Sequence, residues 1–141
     1  MKFPQTAIDI QNEVLNSLNV FPKVGHLRLR QLINILPTVS DDIIVEGVVK
    51  VLESNRTHYL AQQFCGKILS SVQPRTDMEL QDILYRTLES WNNNILEFPA
   101  WMIQNYGLRH VKITLDDMEG EDLSPNESES LEALKAYLKL Y

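Results

Sequence analysis

Apolar residues return along this chain at intervals of three and four rather than two, the spacing that lines one face of a helix. Leu29, Leu32, Ile33 and Leu36, joined upstream by Val24, mark one such stripe, and Pro37 ends it because a proline ring breaks the helical ladder. Ile44, Val45, Val48, Val49 and Leu52 form the next. Ser40 ahead of them has the hydroxyl of an N-cap, and Asp41 and Asp42 suit the positive end of a helix dipole. Leu60, Ala61, Phe64, Cys65, Ile68, Leu69 and Val72 follow, and then Leu80, Ile83, Leu84, Leu88 and Trp91 behind a capping box read in Thr76 and Glu79. A weaker stripe of Ala7, Val14, Leu15 and Leu18 opens the chain after a Thr6 cap. In FPAWMIQNYG, Pro99 fits a first helical turn and Gly107 a C-terminal cap.

The stretch HVKITL, 110–115, alternates as a strand would, yet Leu108, Val111, Leu115 and Met118 also make a helical stripe. With no second strand to pair against, a short helix is the expectation. Ser124, Pro125 and Glu127 then give N-cap, first-turn proline and capping box for a last helix that buries Leu131, Leu134, Tyr137 and Leu138.

Shifting the chain against itself by 36 residues lays SDDIIVEGVVKVLES, 40–54, over TDMELQDILYRTLES, 76–90, with Ser40 on Thr76, Asp41 on Asp77 and LES on LES. Leu29, Leu32, Ile33 and Leu36 fall on Cys65, Ile68, Leu69 and Val72. A hairpin of this size cannot cover its own apolar stripe, so copies stack. The expectation is an all-α fold, a short right-handed α-solenoid of HEAT-like hairpins with about seven to eight helices. Residues 1–141 form a single domain, with 120–141 an acidic joint plus a C-terminal capping helix. The run LESWNNNILEFPAWMIQNYG followed by LSPNESESLEALKAYL resembles bacterial HEAT-like helical-repeat proteins of unassigned function. That resemblance implies protein binding along a concave face and brings no catalytic residues.

Composition narrows the function. One cysteine, Cys65, excludes an intramolecular disulfide, the start lacks the basic-then-apolar order of a secretory signal, and no apolar run approaches membrane-spanning length. A cytoplasmic location is expected. The net charge of −6 is concentrated: residues 113–134 carry eight acids and no Lys or Arg, whereas residues 1–112 balance eleven acids against eleven bases. Neither part supplies the basic surplus that nucleic-acid binding needs.

Chemistry leaves few candidates. Placing Gly120 at the sixth position of a calcium loop puts Leu115 first and Asn126 last, which fails the oxygen-ligand pattern, so the acidic stretch reads as a solvated joint, with a docking patch for a basic partner as the sharper alternative. His26, His58 and His110 lack ligand spacing, and Cys65 lies in an apolar stripe beside Gly66, which marks close helix packing. No phosphate loop, nucleophile elbow or dinucleotide fingerprint occurs. No cofactor or metal is expected, and no enzyme activity.

One pattern survives. At the same offset Glu46 falls on Asp82, Lys50 on Arg86 and Glu53 on Glu89, so two helices carry acid, base, acid on their polar faces. They read as an ordinary solvated face, or as a charge ladder lining an inner groove. Trp91 continues a core stripe; Trp101 is core or, if exposed, a binding anchor. The resulting expectation is a non-catalytic protein-protein interaction module, monomeric or homodimeric, in a narrower version an inhibitor or immunity-type protein for a basic partner. The alternatives are a nucleic-acid repair enzyme on a HEAT-like scaffold, with Asp82, Arg86 and Trp91 as nominal candidates, and a structural subunit that self-associates.

Overall fold

Side-chain caps decide where the first and last helices begin. Thr6 accepts from the Asp9 backbone N–H while the Asp9 carboxylate accepts from that of Thr6, starting α1 (Ala7–Leu18). Ser124 and Glu127 exchange the same pair of bonds ahead of α8 (Pro125–Leu138). The computed structural model describes residues 3–19, 22–54 and 59–141, the side chains of Pro22 and Lys23 excepted. Among them α2 (Pro22–Ile35) ends in a 3-10 turn, Leu36–Thr38, at Pro37. Next come α3 (Asp41–Leu52), α4 (Tyr59–Val72), α5 (Leu80–Thr87), α6 (Glu97–Tyr106) and α7 (Leu108–Glu119), and no strand is present among the described residues.

The segment 110–115 is therefore helical, inside an α7 of twelve residues that is longer than the eight of α5. Gly107 is the whole connection between α6 and α7. Its φ of 89° lies where a side chain would be strained, and its N–H closes α6 on the Ile103 carbonyl.

Two expected caps differ. Ser40 stands at the N-cap of α3 without a side-chain bond. The Thr76–Glu79 capping box does not form, because α5 starts only at Leu80 and the Thr76 hydroxyl accepts from the Met78 backbone N–H instead. The segment before α5 is tied to other helices, and these ties outcompete an extra helical turn. Asp41 accepts the Arg75 N–H at 3.0 Å, and Asn105 accepts the Thr76 N–H at 3.3 Å.

Helices pack both on chain neighbours and on helices two apart. α1 packs on α2, α3 and α4, α3 on α4 and α5, and α5 on α7, while α4 packs on α2 and α6, and α7 on α6 and α8. One core cluster runs through all eight helices, from Ile10 and Val14 through Phe64, Ile83 and Phe98 to Leu138. Of the expected first stripe Val14 is buried, but Leu15 is 36% exposed and Ile10 takes the central place. Val24, placed on the second stripe, is 44% exposed. Hydrogen bonds from α3 and its C-cap to residues 75–90, and from residues 85–93 to residues 121–130, join positions 33 to 40 apart, bracketing the 36-residue offset.

The α1–α3 contact depends on a missing side chain. A Cβ on Gly47 would lie 2.7 Å from Ile10 Cβ and 2.8 Å from its Cγ2. Real carbon atoms do not approach so closely, so the two helices would have to separate. Gly47→Ala is expected to destabilise the fold by about 1–3 kcal/mol in urea unfolding. Gly120→Ala, where nothing lies within 4 Å of the added carbon, should leave the midpoint nearly unchanged.

Candidate functional site

The acid, base, acid pattern on α3 and α5 closes into one interhelical clamp. Register alone would set Lys50 opposite Arg86, base against base. Arg86 instead reaches to the carboxylates on either side, 33 and 40 positions back. Its Nη1 and Nη2 donate to Glu46 at 2.8 and 2.8 Å, and its Nε and Nη2 donate to Glu53 at 2.8 and 2.7 Å. Such two-pronged, charge-assisted pairs combine strength with fixed geometry. Lys50 lies 3.9 Å from Glu46 on the same helix, a looser pair. The side chains are about one-third exposed, so solvent screens part of the attraction. Hydrogen bonding to the Glu53 and Glu46 carboxylates pushes the Arg86 guanidinium further toward its charged form.

The other members of the expected ladder lie apart from the clamp. Asp82 is exposed. Glu89 accepts from the Ser124 hydroxyl and, at 3.2 Å, from Asn126, tying α5 to the start of α8. Trp101 is no exposed anchor: it is 3% exposed, and its indole N–H donates to the Pro74 carbonyl at 2.7 Å. It belongs to a run of ring contacts, Trp91–Phe98–Trp101–Tyr106–His110, that crosses α6, and Phe98 on the buried face of that helix draws the rings inward. Trp91 is core, with its N–H on the Ile95 carbonyl. The three nominal repair-enzyme residues are thus a committed clamp arginine, a buried tryptophan and an exposed aspartate.

Cys65 is fully buried, and burial pushes its thiol far above the ordinary range, away from the thiolate a nucleophile needs. Gly66 beside it faces Glu97 on α6, with 3.0 Å between an added Cβ and the Glu97 carboxyl carbon, so the close packing read there lies against α6. His26 packs edge-on against Phe64, and His110 stacks on Tyr106; His58 lies outside the described residues. Among the described residues no group of three or more His, Cys, Asp or Glu is placed to hold a metal ion. No helix among them is long and apolar enough to cross a membrane.

The acidic stretch 116–129 covers the end of α7, the turn 120–124 and the first turns of α8. Lys135 sits between Asp116, at 3.4 Å, and Glu119. Glu121 accepts from the Tyr85 hydroxyl, and Glu127 is spent on its cap. The carboxylates of Asp117, Asp122, Glu129 and Glu132 are exposed and make no hydrogen bond or ion pair to a described residue.

Gln62 was not singled out by its pattern. It is buried at 3% exposure inside an apolar stripe, where its amide donates to the Ser90 carbonyl at 2.8 Å and accepts from the Asn92 N–H at 2.7 Å. The signal was a carboxamide at a core position, which must find partners of both kinds. Comparison with protein-family profiles, with curated proteins and with solved structures finds no match.

The clamp makes stability depend on acid. The hydrogen bond from Arg86 holds the Glu53 carboxyl below its ordinary value of 4.5. A carboxyl that ionises more easily in the folded state contributes its full share above the unfolded value and loses it as pH falls through the lowered one. Glu53→Gln is expected to lower stability at neutral pH. Between about pH 5 and 3 it should also lose stability less steeply than the unaltered chain, as measured by urea unfolding at each pH.

Proposed function

We propose that the protein is a non-catalytic protein-binding module that presents the acidic surface of α7 and α8 to a basic protein partner. Contacts of α1 with α3, α3 with α5 and α5 with α7, together with those of α4 with α2 and α6, support a short HEAT-like α-solenoid spanning the chain as one domain, with α8 as its cap. Within it the charges divide into two groups. Glu46 and Glu53 spend their charge on Arg86, inside the structure. Asp117, Asp122, Glu129 and Glu132 spend theirs on no described residue.

That contrast carries the reading. Exposed carboxylates of one sign, held on two packed helices and the turn between them, repel one another and are relieved when a basic surface approaches. The same field speeds the approach of a cationic partner and disfavours polyanions, including nucleic acid. An inhibitor or immunity-type role, in which the surface blocks a basic site on a toxin or enzyme in the cytoplasm, is the narrower form of this proposal.

The tagged protein should capture its partner from a native extract at low salt and release it at about 0.5 M salt, where the screening length falls to a few ångströms. The variant combining Asp117→Asn, Asp122→Asn, Glu129→Gln and Glu132→Gln should fold normally by circular dichroism and capture nothing. Capture that persists both in high salt and in the variant overturns the proposal.

A further inference from the structure

The connection between α4 and α5, residues 73–79, has no regular structure and yet is strapped on two sides. Toward α3, Asp41 accepts the Arg75 N–H at 3.0 Å and Asp42 accepts the Thr76 hydroxyl at 3.5 Å. Toward α6, Trp101 donates to the Pro74 carbonyl at 2.7 Å, Tyr106 to the Met78 carbonyl at 2.6 Å, and the Asn105 amide bonds both the N–H and the carbonyl of Thr76. A loop tied this way is pre-organised, so a ligand contacting it meets little ordering cost.

Beside the strapped loop lies a cavity of about 300 Å³, lined by Gln73, Pro74, Arg75, Trp101, Gln104 and Asn105. Gln73 has a φ of 51°, the only positive value among described residues other than glycine. Such a backbone is strained and persists where surrounding contacts enforce it. Here the Gln104 amide donates to the Gln73 amide oxygen at 3.1 Å. That bond uses one end of each carboxamide and leaves one N–H₂ and one carbonyl oxygen over, whichever way the pair is oriented. The Arg75 guanidinium has no hydrogen bond or ion pair to a described residue, although its own backbone N–H is fixed on Asp41. The lining therefore offers a cation, an amide donor and an amide acceptor alongside Pro74 and Trp101.

We propose that this cavity binds a carboxylate carried next to an N–H donor, the chemistry shared by a peptide C-terminus and a free amino acid. Arg75 and the spare amide N–H₂ take the carboxylate, the guanidinium by a charge-assisted fork, and the spare amide oxygen accepts from the ligand N–H. The site differs in charge and in place from the acidic α7–α8 surface, and it stands or falls independently of it.

The test uses the whole chain labelled with ¹⁵N. Trp101 lines the cavity and its indole N–H is held on the Pro74 carbonyl of the same lining, and the buried Trp91 indole serves as an internal reference. N-acetylglycine represents the peptide C-terminus, glycine the free amino acid, and N-acetylglycinamide lacks the carboxylate. N-acetylglycine or glycine, or both, should shift the Trp101 indole and the Gln73 and Gln104 amide signals and leave Trp91 in place; which one binds more tightly identifies the source. N-acetylglycinamide should shift none of these signals. Arg75→Gln, an exposed substitution that keeps a polar side chain, should weaken binding by about tenfold or more. Equal shifts from the amide, equal shifts from sodium chloride at the same concentration, or unchanged binding in Arg75→Gln would each overturn the proposal, as would a spectrum that no carboxylate perturbs.

Discussion

The arrangement turns on one guanidinium. Arg86 is the point at which α3 and α5 meet through charge, and it resolves the repulsion that the 36-residue alignment of Lys50 with Arg86 would otherwise create. Bonding to Glu46 and Glu53 uses four N–H donations, both carboxylates and the full width of the fork, so the clamp fixes the axial position of α5 on α3 to within one helical turn. Apolar packing alone tolerates sliding far more readily, because burial is nearly indifferent to direction. Glu89 continues the chain of ties by holding the start of α8. The acidic surface thus owes its orientation to a line of polar contacts that begins at Glu46.

Much of this order could be read before the structure. Intervals of three and four placed the helices, since an apolar stripe has to face something. Pro37, Gly107 and the Ser124–Glu127 pair set ends because each has a single local consequence: a missing N–H, a permitted positive φ, a reciprocal cap. Local reasoning failed where distant residues competed for the same groups. Thr76 looked like a cap, but Asp42 and Asn105 reach its hydroxyl and backbone from other helices. Ile10 escaped notice because the first stripe was anchored on Leu15, whereas the notch left by Gly47 determines which face of α1 turns inward.

The candidate site was legible in part. Flanking carboxylates around the position aligned with Arg86 are visible at the 36-residue offset, and they define the clamp once base is set against base. What the pattern leaves open is whether such charges face a partner or each other, since that depends on the few ångströms between neighbouring helices. Trp101 shows the same limit: its apolar neighbours fit burial or exposure equally, and the Pro74 carbonyl that receives its N–H comes from a loop 27 positions away. The strapped loop itself left no motif, because its ties come from separate positions on two helices, Asp41 and Asp42 on α3 and Trp101, Gln104, Asn105 and Tyr106 on α6.

The register of α3 on α5 is most directly tested by a double-mutant cycle pairing Arg86→Ala with Glu53→Ala, each followed by urea unfolding at neutral pH and low salt. A bidentate, part-buried pair should give a favourable coupling of about 1 kcal/mol, halved or more by high salt. A coupling indistinguishable from zero would mean that the two helices are not held together at these residues, and the clamp, the register and the orientation of the acidic surface would all be wrong.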